Sequence, residues 1–125
     1  MSINAIGSPT GSSYSFGIIA SSSQLLFTSG IVSMSVDGKI IAPDNMEAQA
    51  RYVFDQISNL LAEKNATLDN VVKITTFVTD MSKYSEFSKV RSEVFNKPFP
   101  ASSTVGVSDL VKPGLLVEVE AIAVV

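Results

Sequence analysis

The closing stretch PASSTVGVSDLVKPGLLVEVEAIAVV, residues 100–125, decides how the rest of the chain is read. Pro98 and Pro100 stop the helical pattern that precedes it, because proline lacks the amide donor a helix interior needs. Thr104 to Val107 then reads as a short strand, Lys112-Pro113-Gly114 as a turn, and Leu115 to Val125 as a long closing strand. In that last strand Val117, Val119 and Ala121 alternate with Glu118 and Glu120. One face therefore suits a core, and the other carries two carboxylates side by side. On pattern alone such a pair is an ordinary solvated face; the functional alternative is that one carboxylate lines a cleft and positions a water. Ser102-Ser103-Thr104 offers three adjacent hydroxyls. They read either as turn chemistry that satisfies nearby backbone groups or as a ligand-recognition loop.

Working back toward the N-terminus, Tyr84, Phe87, Val90, Val94 and Phe95 recur at helical spacing after Asp80 or Ser82 as a cap. Before them Val71 to Thr79 is rich in β-branched residues, with Val72, Ile74, Thr76 and Val78 on one strand face. Met46, Ala50, Val53, Phe54, Ile57, Leu60 and Leu61 form the apolar face of an earlier helix. Asp44 is placed to cap it, with Glu47 completing a capping-box pattern and Asn65 as its stop. Asp37-Gly38 marks a tight turn. Residues 14–31, YSFGIIASSSQLLFTSGI, read as two strands joined by the small polar turn Ala20 to Ser23. The order ββ(β)αβαββ predicts an α+β fold, since the regular alternation of a doubly wound sheet is missing. Residues 1–125 are expected to form one domain, with no repeat or linker to divide them.

Composition removes several function classes. The chain has 125 residues, 46% hydrophobic and 17% charged, and a formal net charge of −3. The charged fraction is below the usual quarter, which hints at surface covered by another subunit. Nine basic residues scattered among twelve acidic ones give no phosphate-binding stripe, so no nucleic-acid partner is expected. No apolar run is long enough to span a bilayer, and the N-terminal residues lack the pattern of a signal peptide, so no membrane role is expected. The absence of cysteine fits a reducing cytosol, and a cytoplasmic location is expected. With no histidine either, thiolate and imidazole metal sites and histidine general bases are excluded. No metal and no cofactor are expected. Chemistry here must use carboxylates, hydroxyls, Lys or Arg, backbone groups and ordered water.

Tyr14-Ser15, LLFTSG ending at Gly30, EAQARYVFDQISNLL, NVVKITTFVTDMSKYSEFSKV and PASSTVGVSDLVKPGLLVEVEAIAV follow one another at near-constant spacing. Together they resemble the RidA/YjgF family of reactive-intermediate deaminases. That resemblance implies a chorismate-mutase-like domain, a mixed sheet with two helices on one face, assembled as a homotrimer with its sheets inward. It also implies a small-molecule ligand in clefts between subunits. In active members an arginine grips the carboxylate of a 2-imino or enamine acid, and a water held by a glutamate and backbone groups adds to the imine carbon. Position by position, the glutamate falls on Glu118, the aromatic hydroxyl on Tyr14, and the backbone contacts on Gly30 and Thr104.

Two family positions differ. The arginine falls on Ser102, next to Ser103, and an asparagine on the second helix falls on Ser88. A charged hydrogen bond contributes roughly 1.5–3 kcal/mol, and serine offers one neutral donor in place of a two-pronged cation. The expectation is therefore a candidate catalytic Glu118 with Tyr14, Gly30, Ser88, Ser102, Ser103 and Thr104 around the ligand. The standard 2-imino acid reaction is weakened unless Lys112 supplies the missing charge. The alternative is a non-catalytic trimer that binds a small ligand or another protein through the same cleft.

Overall fold

The computed structural model describes residues 1–7 and 9–125. Its strands are β1 (Ser2–Ile6), β2 (Gly17–Ser21), β3 (Leu25–Phe27), β4 (Ile31–Val32), β5 (Val71–Val78), β6 (Ala101–Gly106) and β7 (Val117–Val124). Two helices, α1 (Met46–Ala62) and α2 (Tyr84–Val94), complete it. The main sheet runs β3-β7-β5-β6, with β4 also on β7. β6 lies parallel to β5, and the strands on β7 are antiparallel to it, so the sheet is mixed.

Both helices pack on one face of that sheet. Ile74, Thr76 and Val78 pair with Ala121, Val119 and Val117 and are buried with them. Above them lie Met46, Ala50, Val53, Phe54, Ile57 and Leu61 of α1, and Phe87 and Val90 of α2. The alternation read in β7 is thus correct: its valines enter the core and its glutamates face away. In β5 the start of the pattern is shifted. An irregularity between Val71 and Lys73 makes Val71, not Val72, the buried residue. An extra residue in one strand turns its side chains by one place.

Helix α1 starts one residue later than its expected cap. Asp44 takes a positive φ of 58°, and Asn45 caps instead, its Oδ1 accepting from the Ala48 amide at 3.0 Å. Asn65, with φ of 56°, ends the turn that follows, as its residue type suggests. Asp80 caps a short helical turn ahead of α2, accepting from Ser82. Gly38, at φ 82°, makes the expected tight turn.

The N-terminal third departs from the sequence reading. β2 does not fold back on β3; it pairs antiparallel with β1, a strand the pattern did not reveal. β3 instead pairs with the end of β7. The corner between them is set by Ser22, whose hydroxyl donates to the Val125 carbonyl, and by the Val125 amide, which donates to Gln24. Those bonds hold Ser22 to Gln24 against the chain end and take up the groups a hairpin turn would use. The β1–β2 hairpin leaves Ile6, Phe16 and Ile19 exposed, and Leu25 and Phe27 of β3 are 57% and 66% exposed.

Thr76 is fully buried on the helix-covered face, and among the described residues its hydroxyl has no hydrogen-bond partner. An unpaired buried hydroxyl costs about 1–3 kcal/mol. Thr76→Val keeps the shape and removes that group, so the variant should melt about 3–5 °C higher than the native chain. A lower melting temperature would show that the hydroxyl has a partner in solution.

Candidate functional site

Strand register decides which candidate residues can meet. Ser102 and Thr104 of β6 pair with Ile74 and Thr76, so both point to the helix side of the sheet. Ser103 pairs with Thr75 and points to the open face, where the Lys73 ammonium lies 3.3 Å from its hydroxyl. Burial pushes the Lys73 ammonium below the usual lysine range, and the Glu120 carboxylate acts in the opposite direction. Glu118 pairs with Phe77, which pairs with Val105; all three belong to the open face. The run Ser102-Ser103-Thr104 is therefore split between the two faces, because successive strand residues alternate.

On the helix side, the residue beside Ser102 is Arg91 of α2. Arg91 is only 3% exposed. Its Nε donates to Ser13 Oγ at 3.0 Å, Nη1 to Ser102 Oγ at 3.2 Å, and Nη2 to Ser88 Oγ at 3.4 Å. Three rings surround the guanidinium, with centroids 5.4 Å away for Tyr14 and 5.8 Å for both Tyr84 and Phe87. Such faces attract a cation through their quadrupoles. Tyr14 reaches this place because Ser15 is tied to the start of β6, its amide donating to Pro100 and its hydroxyl to Phe99. Tyr14, Met81, Tyr84, Arg91, Ser102 and Thr104 line a cleft of about 340 Å³. A wider groove of about 1320 Å³ adjoins it, between residues 9–14, α2 and residues 97–99.

The second cluster lies on the open face. Gly30 precedes β4, whose Val32 pairs with Glu118. A Cβ built on Gly30 would stand 2.7 Å from the Glu118 carboxyl carbon, closer than van der Waals contact allows. Glycine is needed here for that approach. Among the described residues, the Glu118 carboxylate accepts no hydrogen bond, so its lone pairs are free for water or a ligand.

The sequence candidates thus form two groups. Tyr14, Ser88, Ser102 and Thr104 gather around Arg91; Gly30 and Glu118 gather on the opposite side of the sheet. Ser103 joins neither group. Lys112 lies apart from both clefts of this chain: its ammonium donates to the Gly38 carbonyl at 2.7 Å, and it lines neither. Arg91, Ser13 and Tyr84 were missed. A signal for Arg91 did exist, since it stands four residues after Phe87 and one after Val90, inside the stripe assigned to the core. A cation at such a position needs an explanation.

The fold and these two clusters define a small mixed-sheet α+β protein with a cation-bearing cleft on one side and an open carboxylate on the other. The endoribonuclease L-PSP family model matches residues 5–125, and the chain belongs to that family, the RidA/YjgF group. The mitochondrial protein MMF1 of Saccharomyces cerevisiae is 35% identical over 102 residues, covering 82% of this chain and 68% of that protein. A 2-iminobutanoate/2-iminopropanoate deaminase of Dermatophagoides farinae is 30% identical over 100 residues, covering 80% and 77%. The crystal structure of the Rid-family protein YyfB of Yersinia pestis, described as of unknown function, superposes with a TM-score of 0.88. It covers 100% of both chains at 24% identity, a likeness of fold. Among the described residues no helix is long and apolar enough to cross a membrane.

Proposed function

We propose that this chain acts as a homotrimer whose clefts lie between copies and hydrolyse imine or enamine intermediates. The observation that carries this reading is the division of the candidate residues between two faces of one sheet. Tyr14, Ser102 and Thr104 look toward the helices and Gly30 and Glu118 look away, so one copy alone cannot put them around one ligand. A second copy set against the open face completes the site. The apolar side chains left uncovered on β2 and β3 supply surface for that contact.

In such a cleft Glu118 orients a water and takes its proton as the oxygen attacks the imine carbon. The C=N π pair moves to nitrogen, and Glu118 returns the proton to it, giving a carbinolamine. Glu118 then takes the carbinolamine hydroxyl proton as the carbonyl forms and the C–N bond breaks. That second proton goes to the departing nitrogen, which leaves as ammonia. Tyr14 positions the ligand by its hydroxyl, and Thr104 offers a hydroxyl and backbone groups. No metal or cofactor is needed for these steps. The deaminase among the relatives supports the reaction class.

A second reading is a non-catalytic trimer holding a small ligand in the same cleft. It is favoured by Ser102, which stands where the active family members carry arginine.

Two variants separate these readings, with imines generated in situ as substrates and light scattering to follow assembly. Glu118→Gln should remove the rate above buffer, and Gly30→Ala should do the same by pushing the carboxylate aside; both should remain trimeric. If wild-type protein shows no rate but the ligand binds equally to wild type and Glu118→Gln, the binding reading replaces the enzymatic one. A monomeric wild-type chain would overturn the shared cleft.

A further inference from the structure

Arg91 is the one nearly fully buried charge in the described structure. Among the described residues the ion pairs are Arg51 with Glu47 and Glu93, and Lys89 with Glu47, all at exposed positions on the helices. Among the described residues, no carboxylate stands within ion-pair distance of Arg91. Removing a cation from water without a counter-charge costs several kcal/mol, and a fold keeps such an arrangement when something else offsets the cost. Three serine hydroxyls and three aromatic rings offset part of it.

The donor count shows what remains. A guanidinium has five N–H groups, and three are used by Ser13, Ser88 and Ser102. Among the described residues, one N–H on each terminal nitrogen has no acceptor, the number that a two-oxygen acceptor takes. The three serines and the rings also hold the group in place, so little side-chain entropy is left to lose when an acceptor arrives. The guanidinium lines the cleft of about 340 Å³ beside Tyr14, Ser102 and Thr104, a volume suited to a small molecule.

We infer that Arg91 is the anion-binding residue of this chain, gripping a small carboxylate in that cleft from helix α2 while Ser102 orients it from β6. The inference rests on the proposed ligand cleft for its setting, and not on any catalytic step. It restores to the site the positive charge that Ser102 lacks. It also makes the ligand an anion.

The test is binding without turnover, so its failure is distinct from a failure of the proposed reaction. The full chain is titrated with propanoate and with propanamide, which matches its size and lacks its charge, while the Arg91 Nε–H resonance is followed. Propanoate should move that resonance and propanamide should not. Arg91→Met keeps the apolar stem and should weaken propanoate binding by about a hundredfold. Arg91→Lys, a point charge without the fork, should retain an intermediate affinity. Because replacing a buried charge can disturb folding, the wild-type resonance carries the test if either variant fails to fold. No shift with propanoate would overturn the inference. So would equal shifts with both compounds. A loss of the trimer on both Arg91→Met and Glu118→Gln, with no propanoate binding by wild type, would make the counter-ion a neighbouring copy's glutamate, and this too would overturn it.

Discussion

Gln49→Ala is expected to destabilise the chain by about 2–4 kcal/mol, a large share of the roughly 5–15 kcal/mol typical of a domain. Gln49 is fully buried on α1. Its Nε2 donates to the carbonyls of Ala42 at 3.0 Å and Gly114 at 2.8 Å, and its Oε1 accepts from the Leu116 amide at 2.8 Å. Truncation leaves the buried Leu116 amide without a partner, at about 1–3 kcal/mol, and opens a cavity on α1. The Ala42 and Gly114 carbonyls each lose one donor and keep another, from the Asn45 and Asp44 amides. Leu116 and Gly114 lead directly into β7, so the same amide sets where that strand begins and where Glu118 stands. Denaturant unfolding would check the magnitude; a loss under about 1 kcal/mol would mean that water replaces the amide. Gln49→Glu gives a second, pH-dependent measurement. The carboxylate oxygen in the place of Nε2 would face two carbonyls, so the folded state would favour the protonated form and raise the group's pKa. Stability should then be highest below the ordinary carboxylate range and fall as pH rises through it.

Phe54→Ala should cost about 3–5 kcal/mol. Phe54 is 1% exposed and stands between Phe87, at 5.8 Å, and Phe95, edge-on at 5.3 Å. Those contacts seat α2 against α1. The consequence reaches the cleft, because Phe87 is also one of the rings around Arg91. A cavity beneath Phe87 loosens that ring and the helix that carries the guanidinium. The melting temperature and the Arg91 Nε–H linewidth should therefore change together. A variant that melts normally would show that the neighbouring aromatic rings collapse into the space.

Much of the fold was legible because periodicity and caps are local. The apolar face of α1, the alternation in β7 and the turn at Gly38 follow from neighbouring residues alone. The sequence reading failed where two local choices were nearly equal. β2 and β3 have the pattern of a hairpin, but hydrogen bonds from Ser22 and to Gln24 at the far chain end turn the corner differently. Asp44 and Asn45 are both good caps, and the positive φ at Asp44 gives the role to its neighbour. The candidate site was legible as a set of residue types and not as an arrangement. Ser102, Ser103 and Thr104 are consecutive, so a strand must separate the middle one from the others, yet only pairing with β5 says which face is which.

The sequence by itself determined the family, through motifs spread from Tyr14 to the closing residues 100–125, and the carboxylate-bearing strand, since both are carried by order and alternation along the chain. It also determined that no arginine stands at position 102. What only the tertiary structure decided is that a guanidinium is there nonetheless. Arg91 is eleven residues away in sequence, on a helix, and it reaches Ser102 because α2 packs beside the edge strand β6. Contact between distant segments is fixed by packing, and no local pattern encodes it.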